Sequence, residues 1–285
     1  MFGLPLSQFY LFIFATMDQK VVLITGGSSG IGKAIGTYLK AKGFKVYGST
    51  RSKSNYPDFD AFDLLELNVR EPQTIDKAVE EVISRHGRID VLINNAGIGI
   101  TGPIEETPHE EILKAFETNL HGPVHVIKSV LPHMRAQKSG LIINITSIAG
   151  YMGLPFRGVY SSSKGALGLL TEALRMETNN FGVHFTNLAP GDFATNIAAG
   201  RYHTPISASS PYKENYGNTL QMINDHVDSG GDPGLVAKKV LHIIETKNPK
   251  VHYKVGSRMQ KFSLVLKRLL PDKVYERLLL NHYKL

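Results

Sequence analysis

Short apolar runs alternate with amphipathic stretches along almost the whole of this 285-residue chain. Val21-Val22-Leu23-Ile24 is apolar throughout, as a parallel strand covered on both faces requires. Helical periodicity follows over 31–42, then an apolar run at 44–49. Further strands are read at 64–67, 89–94, 141–146, 183–188 and 251–255. Helices are read at 72–86, 108–134, 159–181 and 233–246. Pro72 sits early in its helix, where a missing N–H costs nothing, and Gly182 stands where a helix C-cap is expected. Seven strands alternating with helices predict one α/β domain, a doubly wound parallel seven-stranded sheet with helices on both faces.

Composition narrows the function classes. With 42% hydrophobic and 20% charged residues the chain has an ordinary globular make-up. It has no cysteine, which excludes disulfides, thiol nucleophiles and cysteine-held zinc, and which fits a cytoplasmic protein. The net charge of +7 is uneven: residues 233–285 hold 12 Lys/Arg and 3 Asp/Glu, or +9, which leaves −2 for residues 1–232. No nucleic-acid partner is expected, and the basic end reads as a solvated face.

Both termini stand apart from the alternating body. Residues 1–16 are apolar and uncharged, too short to span a bilayer and without the basic start of a secretory signal. They read as an extension ahead of a natural start at Met17, with a short apolar docking arm as the alternative. Residues 17–256 form the expected catalytic domain. Residues 257–285 form a basic amphipathic extension, split by Pro271 into two short helices. Packing over the pocket or on a neighbouring subunit is the preferred use of that extension, ahead of peripheral membrane contact. Residues 192–232 interrupt the rhythm after a strand end, and this position and length read as a substrate lid.

Two motifs carry chemistry. Thr25-Gly26-Gly27-Ser28-Ser29-Gly30-Ile31-Gly32 joins the first strand to the first helix. Glycines there let backbone approach a pyrophosphate, and the helix start offers free N–H groups. Tyr160 and Lys164 lie four residues apart, on one face of a helix. A free phenol titrates near pH ~10, and a fixed ammonium beside it favours the phenolate, so such a pair can pass a proton near neutral pH. His121 and His125 are also four apart, but no third ligand accompanies them and no metal is expected.

The glycine spacing G-x-x-x-G-x-G, the Asn94-Asn95-Ala96-Gly97 strand end, Asn119, Ser147, the Tyr160/Lys164 pair and Pro190-Gly191 occur in one order at element boundaries. Together they resemble the short-chain dehydrogenase/reductase family, from Met17 to about Val255, in the manner of bacterial carbonyl reductases related to hydroxysteroid and retinol dehydrogenases. The resemblance implies a Rossmann-type fold and a proton exchanged between Tyr160 and the substrate oxygen. It also implies a hydrogen bond from Ser147 to that oxygen, with Lys164 serving Tyr160 and the nicotinamide ribose. Asn119 would interrupt its helix and hold a water that links Lys164 to solvent. Cofactor contacts are implied for Thr25, Gly26, Ser28, Ser29, Gly30, Ile31, Gly32, Asn68, Val69, Asn95, Ala96, Gly97, Tyr160, Lys164, Pro190, Gly191 and Thr195. It also implies a homodimer or homotetramer assembled through the helices at 108–134 and 159–181.

At the end of the second strand an NAD enzyme carries an acidic residue for the ribose 2′-hydroxyl. Here Thr50 takes that place and Arg51 follows, a pair suited to a 2′-phosphate. The expected cofactor is NADP(H). Asn68 stands where relatives often have Asp, and the short segment between Arg51 and Leu64 leaves room for a loop in place of the usual helix. The four-residue Tyr–Lys step fits carbonyl/alcohol chemistry better than enoyl reduction. Apolar residues before the tyrosine (Met152, Leu154, Phe156) and in the lid (Phe193, Ile197, Tyr202, His203, Ile206, Tyr212) suggest a lipid, steroid or terpenoid-like carbonyl. The alternatives are a catalytically silent NADP(H)-binding sensor and a peripheral-membrane lipid carbonyl reductase.

Overall fold

Strand side chains alternate between two apolar layers. A computed structural model describes residues 19–193, 200–228 and 230–285. In β1 (Val21–Ile24), Val22 and Ile24 enter one layer, and Val21 and Leu23 enter the other. The first layer packs under α1 (Gly30–Ala41) and α7 (Gly234–Glu245); the second packs under α2 (Pro72–His86) and α4 (Gly122–Gln137). A run without polar residues is thus the physical consequence of helices on both faces.

The remaining strands of the main sheet are β2 (Lys45–Thr50), β3 (Asp63–Glu66), β4 (Val91–Asn94), β6 (Gly140–Ile145), β7 (Val183–Pro190) and β9 (His252–Val255). All seven are parallel, in the order β3-β2-β1-β4-β6-β7-β9. The chain reverses its direction of travel across the sheet between β1 and β4. A ligand crevice forms at such a switch point, beyond the strand C-termini. The doubly wound seven-stranded sheet is the one expected from the alternation.

Two regions differ from the expected elements, and a third agrees. The single helix over 108–134 is two, α3 (His109–Phe116) and α4, joined by a π turn over Glu117–His121, the interruption that the resemblance implied at Asn119. Gly122 N–H bonds back to the Glu117 carbonyl, five residues away. Pro123 has no N–H to give to the Asn119 carbonyl four residues before it, so a regular α-helix is not available there. Between residues 192 and 232 the chain forms β8 (Tyr202–His203), which pairs with β5 (Ile100–Thr101), and α6 (Lys213–Asp228). Neither was visible as periodicity. Only a short 3-10 turn, Lys53–Asn55, lies between Arg51 and β3, in line with the expected loop.

After α5 (Gly158–Glu177) Gly182 holds φ 71°, a left-handed conformation that favours glycine. The extension forms α8 (Arg258–Leu269) and α9 (Asp272–Tyr283), separated at Pro271. Leu264 and Tyr275 pack with Ile148, Met152 and Ala189, which follow β6 and end β7. The Tyr275 hydroxyl donates to Met152 Sδ at 2.9 Å. Residues 1–18, including Met1 and Met17, lie outside the described residues.

Candidate active site

Four strand ends open on one side of the sheet, and each contributes. After β1 the glycine-rich turn is clamped by its neighbour across the switch point. Thr25 Oγ1 accepts from the Asn95 and Ala96 N–H groups, both at 3.0 Å. Asn95 Nδ2 donates to the carbonyls of Thr25 and Gly26, again at 3.0 Å. Ser49 Oγ accepts from Gly26 N–H at 3.0 Å. Gly26 and Gly30 hold φ 65° and 52°, which a residue with a Cβ adopts only at a cost. A Cβ on Gly27 would stand 2.6 Å from the Gly48 Cα, so the turn lies against β2. Ser29 begins α1 without a side-chain cap bond, which leaves first-turn N–H groups of the helix to a ligand. Ser28 is half-buried, and Ile31 and Gly32 are buried.

Thr50 and Arg51 follow at the end of β2. Thr50 is buried and its hydroxyl donates to the Ser52 carbonyl at 3.3 Å; Arg51 is exposed. Asn68 is committed locally: its Oδ1 accepts from Arg70 N–H at 3.2 Å and its Nδ2 donates to Glu71 Oε1 at 2.6 Å. Val69 is buried and packs against Gly122, at the start of α4.

Buried polar contacts hold the helix that carries Tyr160. Asn94 Nδ2 donates to Asn144 Oδ1 at 2.9 Å, and Asn144 Nδ2 donates to Thr171 Oγ1 of α5 at 2.8 Å. Asn187 Nδ2 reaches the Gly168 carbonyl at 3.1 Å. These contacts tie α5 to β4, β6 and β7, so Tyr160 and Lys164 are set by the sheet. Lys164 is buried and its Nζ donates to the Ile145 carbonyl at 2.9 Å. Burial lowers its pKa to about 8.

Asn119 lies in the π turn, fully buried. Its Oδ1 accepts from Ile98 N–H at 2.9 Å, and its Nδ2 donates to the Ile98 carbonyl at 2.9 Å and to Ser163 Oγ at 3.1 Å. A Cβ on Gly97 would meet Asn119 Oδ1 at 3.1 Å and Lys164 Nζ at 3.2 Å, so both side chains converge on this glycine. Ser147 is buried, and its Oγ accepts from Ala149 N–H at 3.1 Å, which leaves its O–H to donate.

One cavity is lined by Ser147, Tyr160, Lys164, Ile31, Asn95, Gly97, Pro190 and Gly191. The structure thus brings together residues from the glycine turn, three further strand ends and α5. Of the turn only Ile31 reaches the lining; Thr25, Gly26, Ser28, Ser29, Gly30, Gly32, Ala96 and Asn119 stand behind it, Thr50, Arg51, Asn68 and Val69 are also absent from it, and Thr195 falls outside the described residues. Of the apolar residues expected at the substrate, Phe193 lines the cavity. Ile197 lies outside the described residues. Phe156 packs instead on Tyr216 and Tyr212, with ring centroids 5.2 and 6.2 Å apart, and His203 Nδ1 is 2.8 Å from Thr101 Oγ1.

The cavity also holds residues that the sequence reading missed: Arg157, Asp192 and Arg201. Tyr283, at the end of α9, is buried beside Arg157 and Asp192. Burial raises its pKa, against a lowering by Arg157. Gln260 of α8 donates to Asp192 Oδ2 at 2.8 Å and packs on Gly191. Arg157 precedes Tyr160 by three residues, a helix-face spacing that could have flagged it. Asp192 directly follows the Pro190-Gly191 strand end, whereas Arg201, Gln260 and Tyr283 come from distant parts of the chain and carry no local signal.

This arrangement meets its counterparts in known proteins. The family model for short chain dehydrogenase matches residues 20–205, more than half of the chain. The chain belongs to the short-chain dehydrogenase family. A 3-ketodihydrosphingosine reductase of Bacteroides thetaiotaomicron is 36% identical over 261 residues, which covers 91% of this chain and 96% of that protein. An NADPH-dependent 3-dehydrocapnine reductase of Ornithobacterium rhinotracheale is 34% identical, covering 93% and 98%. The crystal structure of a short-chain dehydrogenase from Streptomyces avermitilis superposes with a TM-score of 0.77 at 31% identity, covering 93% of this chain and 97% of that one. This short-chain dehydrogenase is an oxidoreductase acting on CH–OH groups, with a single Rossmann-like domain.

Proposed function

We propose that the chain reduces a ketone or aldehyde to an alcohol with NADPH, on an apolar long-chain substrate. One observation carries this reading: Ser147, Tyr160 and Lys164 line the same cavity as Ile31 at the end of the glycine turn, Asn95 and Gly97 across the switch point, and the Pro190-Gly191 strand end. The turn fits a dinucleotide, because its left-handed glycines and uncapped helix start present backbone N–H groups where a pyrophosphate can approach. Thr25, Gly26, Ser28, Ser29, Gly30, Ile31 and Gly32 would hold it there, with Asn95, Ala96 and Gly97 across the switch point. When bound, the nicotinamide supplies the hydride.

The chain's residues handle the charge and the proton. Hydride arrival at a carbonyl carbon leaves negative charge on oxygen. The Ser147 O–H is free to donate to that oxygen, and the Tyr160 hydroxyl gives it a proton. Lys164, fixed by the Ile145 carbonyl, keeps a positive charge on the Tyr160 face of α5. Asn119 holds the loop at Ile98 that walls the cavity. Preference for NADP(H) is supported by the missing acid at Thr50, by the exposed Arg51, and by a relative described as NADPH-dependent. A relative is named for 3-ketodihydrosphingosine, which supports a long-chain ketone. The test is NADPH oxidation by the full chain with long-chain and with short-chain ketones. Preference for the long ketone is expected; no turnover on a broad ketone panel despite tight NADPH binding would favour the silent sensor instead.

A second use of the extension has its own support. Met259, Phe262, Leu269 and Val274 stand exposed on α8 and α9 among Lys261, Arg268 and Lys273, as a lipid-facing surface would. No helix among the described residues is long and apolar enough to cross a membrane. Pelleting with anionic liposomes, for the full chain and for a chain ending at Gly256, checks this; equal binding removes it. Leu113, Leu169 and Met176 are exposed on α3 and α5, which supports a homodimer or homotetramer through those helices, testable by sedimentation.

A further inference from the structure

Two arginines face the reaction cavity and share it with a single carboxylate, Asp192. Arg157 and Arg201 both line it, and each comes from a different part of the chain. The Arg157 guanidinium lies over the Tyr160 ring, 5.4 Å from its centroid. Arg157 follows Phe156, which holds φ 56°, a strained conformation for an aromatic residue. The strain is held by a bond from Gly102 N–H to the Phe156 carbonyl at 2.8 Å. Arg201 packs on Gly99, where a Cβ would meet its Nε at 2.9 Å. Its Nη1 is buried and has no hydrogen-bond partner among the described residues.

The electrostatics agree with that geometry. Burial lowers the Arg201 pKa most, and the like charge of Arg157 lowers it further; Tyr160 and Asp192 pull the other way. Asp192 is the one carboxylate in the lining, and its Oδ2 is occupied by Gln260. Arg157 has the neutral Tyr283 hydroxyl as a hydrogen-bond partner. The lining therefore holds Arg157, Arg201 and Lys164 against Asp192 alone. A buried guanidinium nitrogen without an acceptor costs free energy unless a ligand supplies one. An acidic group would relieve both the orphan donor and the repulsion.

We propose that Arg157 and Arg201 form an anion subsite beside Tyr160, which takes a carboxylate or sulfonate carried by the carbonyl substrate close to its reacting carbon. The proposal rests on the reading of this cavity as a ketone site and names a substrate class within it: keto compounds with a strong-acid head group and an apolar tail. Planar guanidinium forks suit both acids, since each offers two oxygens to a parallel pair of N–H donors.

The test reads binding, so it does not depend on turnover. Hexane-1-sulfonate and its uncharged twin, methyl hexyl sulfone, are titrated calorimetrically into the full chain saturated with NADP⁺. The sulfonate is expected to bind about ten-fold tighter or more, the size of a charge-assisted hydrogen bond. That gap is expected to close in Arg201→Gln and to narrow in Arg157→Gln. Should Arg201→Gln fail to fold, Arg157→Gln carries the comparison. Equal binding of the two ligands by the unaltered chain overturns the proposal, as does a gap that survives both substitutions. A gap seen only without NADP⁺ also overturns it, because the arginines would then serve a cofactor phosphate. Failure of the ketone reading shows separately, as absence of NADPH oxidation.

Discussion

The two ends of the crevice are built on opposite plans. At the glycine turn, side-chain polar groups are spent on the protein itself: Thr25, Asn95 and Ser49 all bond to backbone and fix its path. What remains for a ligand is backbone N–H at the start of α1. At the far end, beside Tyr160, charged side chains face the cavity, and Arg201 Nη1 is unsatisfied among the described residues. A site that reads a common cofactor can be made of backbone and repeated unchanged. A site that selects one substrate has to be made of side chains, and their cost in burial shows where selection takes place.

Breaking the reacting end should leave the cofactor end intact. Tyr160→Phe removes the proton source and is expected to lower ketone turnover by about a thousand-fold, with the NADPH dissociation constant unchanged by fluorescence titration. The reverse cut is Arg51→Ala. It should lower kcat/KM with NADPH by about ten- to a hundred-fold, the loss of a charge-assisted contact, and leave NADH nearly unaffected. A preference for NADH in the unaltered chain, kept in the variant, would refute the assignment of Arg51.

Lys164 links the two ends, and its burial has a thermodynamic consequence. Its ammonium titrates near 8 when folded and near 10.5 when exposed. Between those values the unfolded chain keeps a proton that the folded chain has released, so this group makes stability rise with pH. From pH 8 to 9.5 the unaltered chain should gain about 2 kcal/mol relative to Lys164→Met in urea unfolding. A parallel pH dependence in both proteins would contradict the buried ammonium. The smallest effect is expected at Gln260→Ala, which removes the bond to Asp192 and one half of the α8 capping box. Ketone KM should rise about five-fold, roughly 1 kcal/mol, with kcat within about two-fold.

The same contrast explains what the sequence disclosed. The Thr25–Gly32 turn and Tyr160 stood out by spacing, and Asn95, Ser147 and Pro190 by the family resemblance; all sit near a strand end or on one helix face, a position that brings them to the crevice. The sheet was equally legible, because strands buried on both faces must be apolar throughout. The π turn at Asn119 had one local cue, Pro123, which withholds the N–H a continuous helix needs. The anion subsite had almost none. Arg157, Arg201 and Tyr283 meet only because the segment from Gly200 and the extension fold back over β6 and β7, and charge in a linear sequence reads first as solvated surface. Likewise α6 is polar along much of its length, and no apolar stripe marked it.

Hydride transfer from NADPH to a carbonyl carbon is the chemistry proposed for this cavity. It is tested most directly with NADPH carrying deuterium at both C4 positions, a long-chain ketone and mass analysis of the product. An alcohol one mass unit heavier is expected, with the deuterium on the carbinol carbon, and about a thousand-fold less of it in the same time from Tyr160→Phe. Bound NADPH that never yields a deuterated alcohol from any ketone tried, or an undiminished yield from Tyr160→Phe, would contradict it.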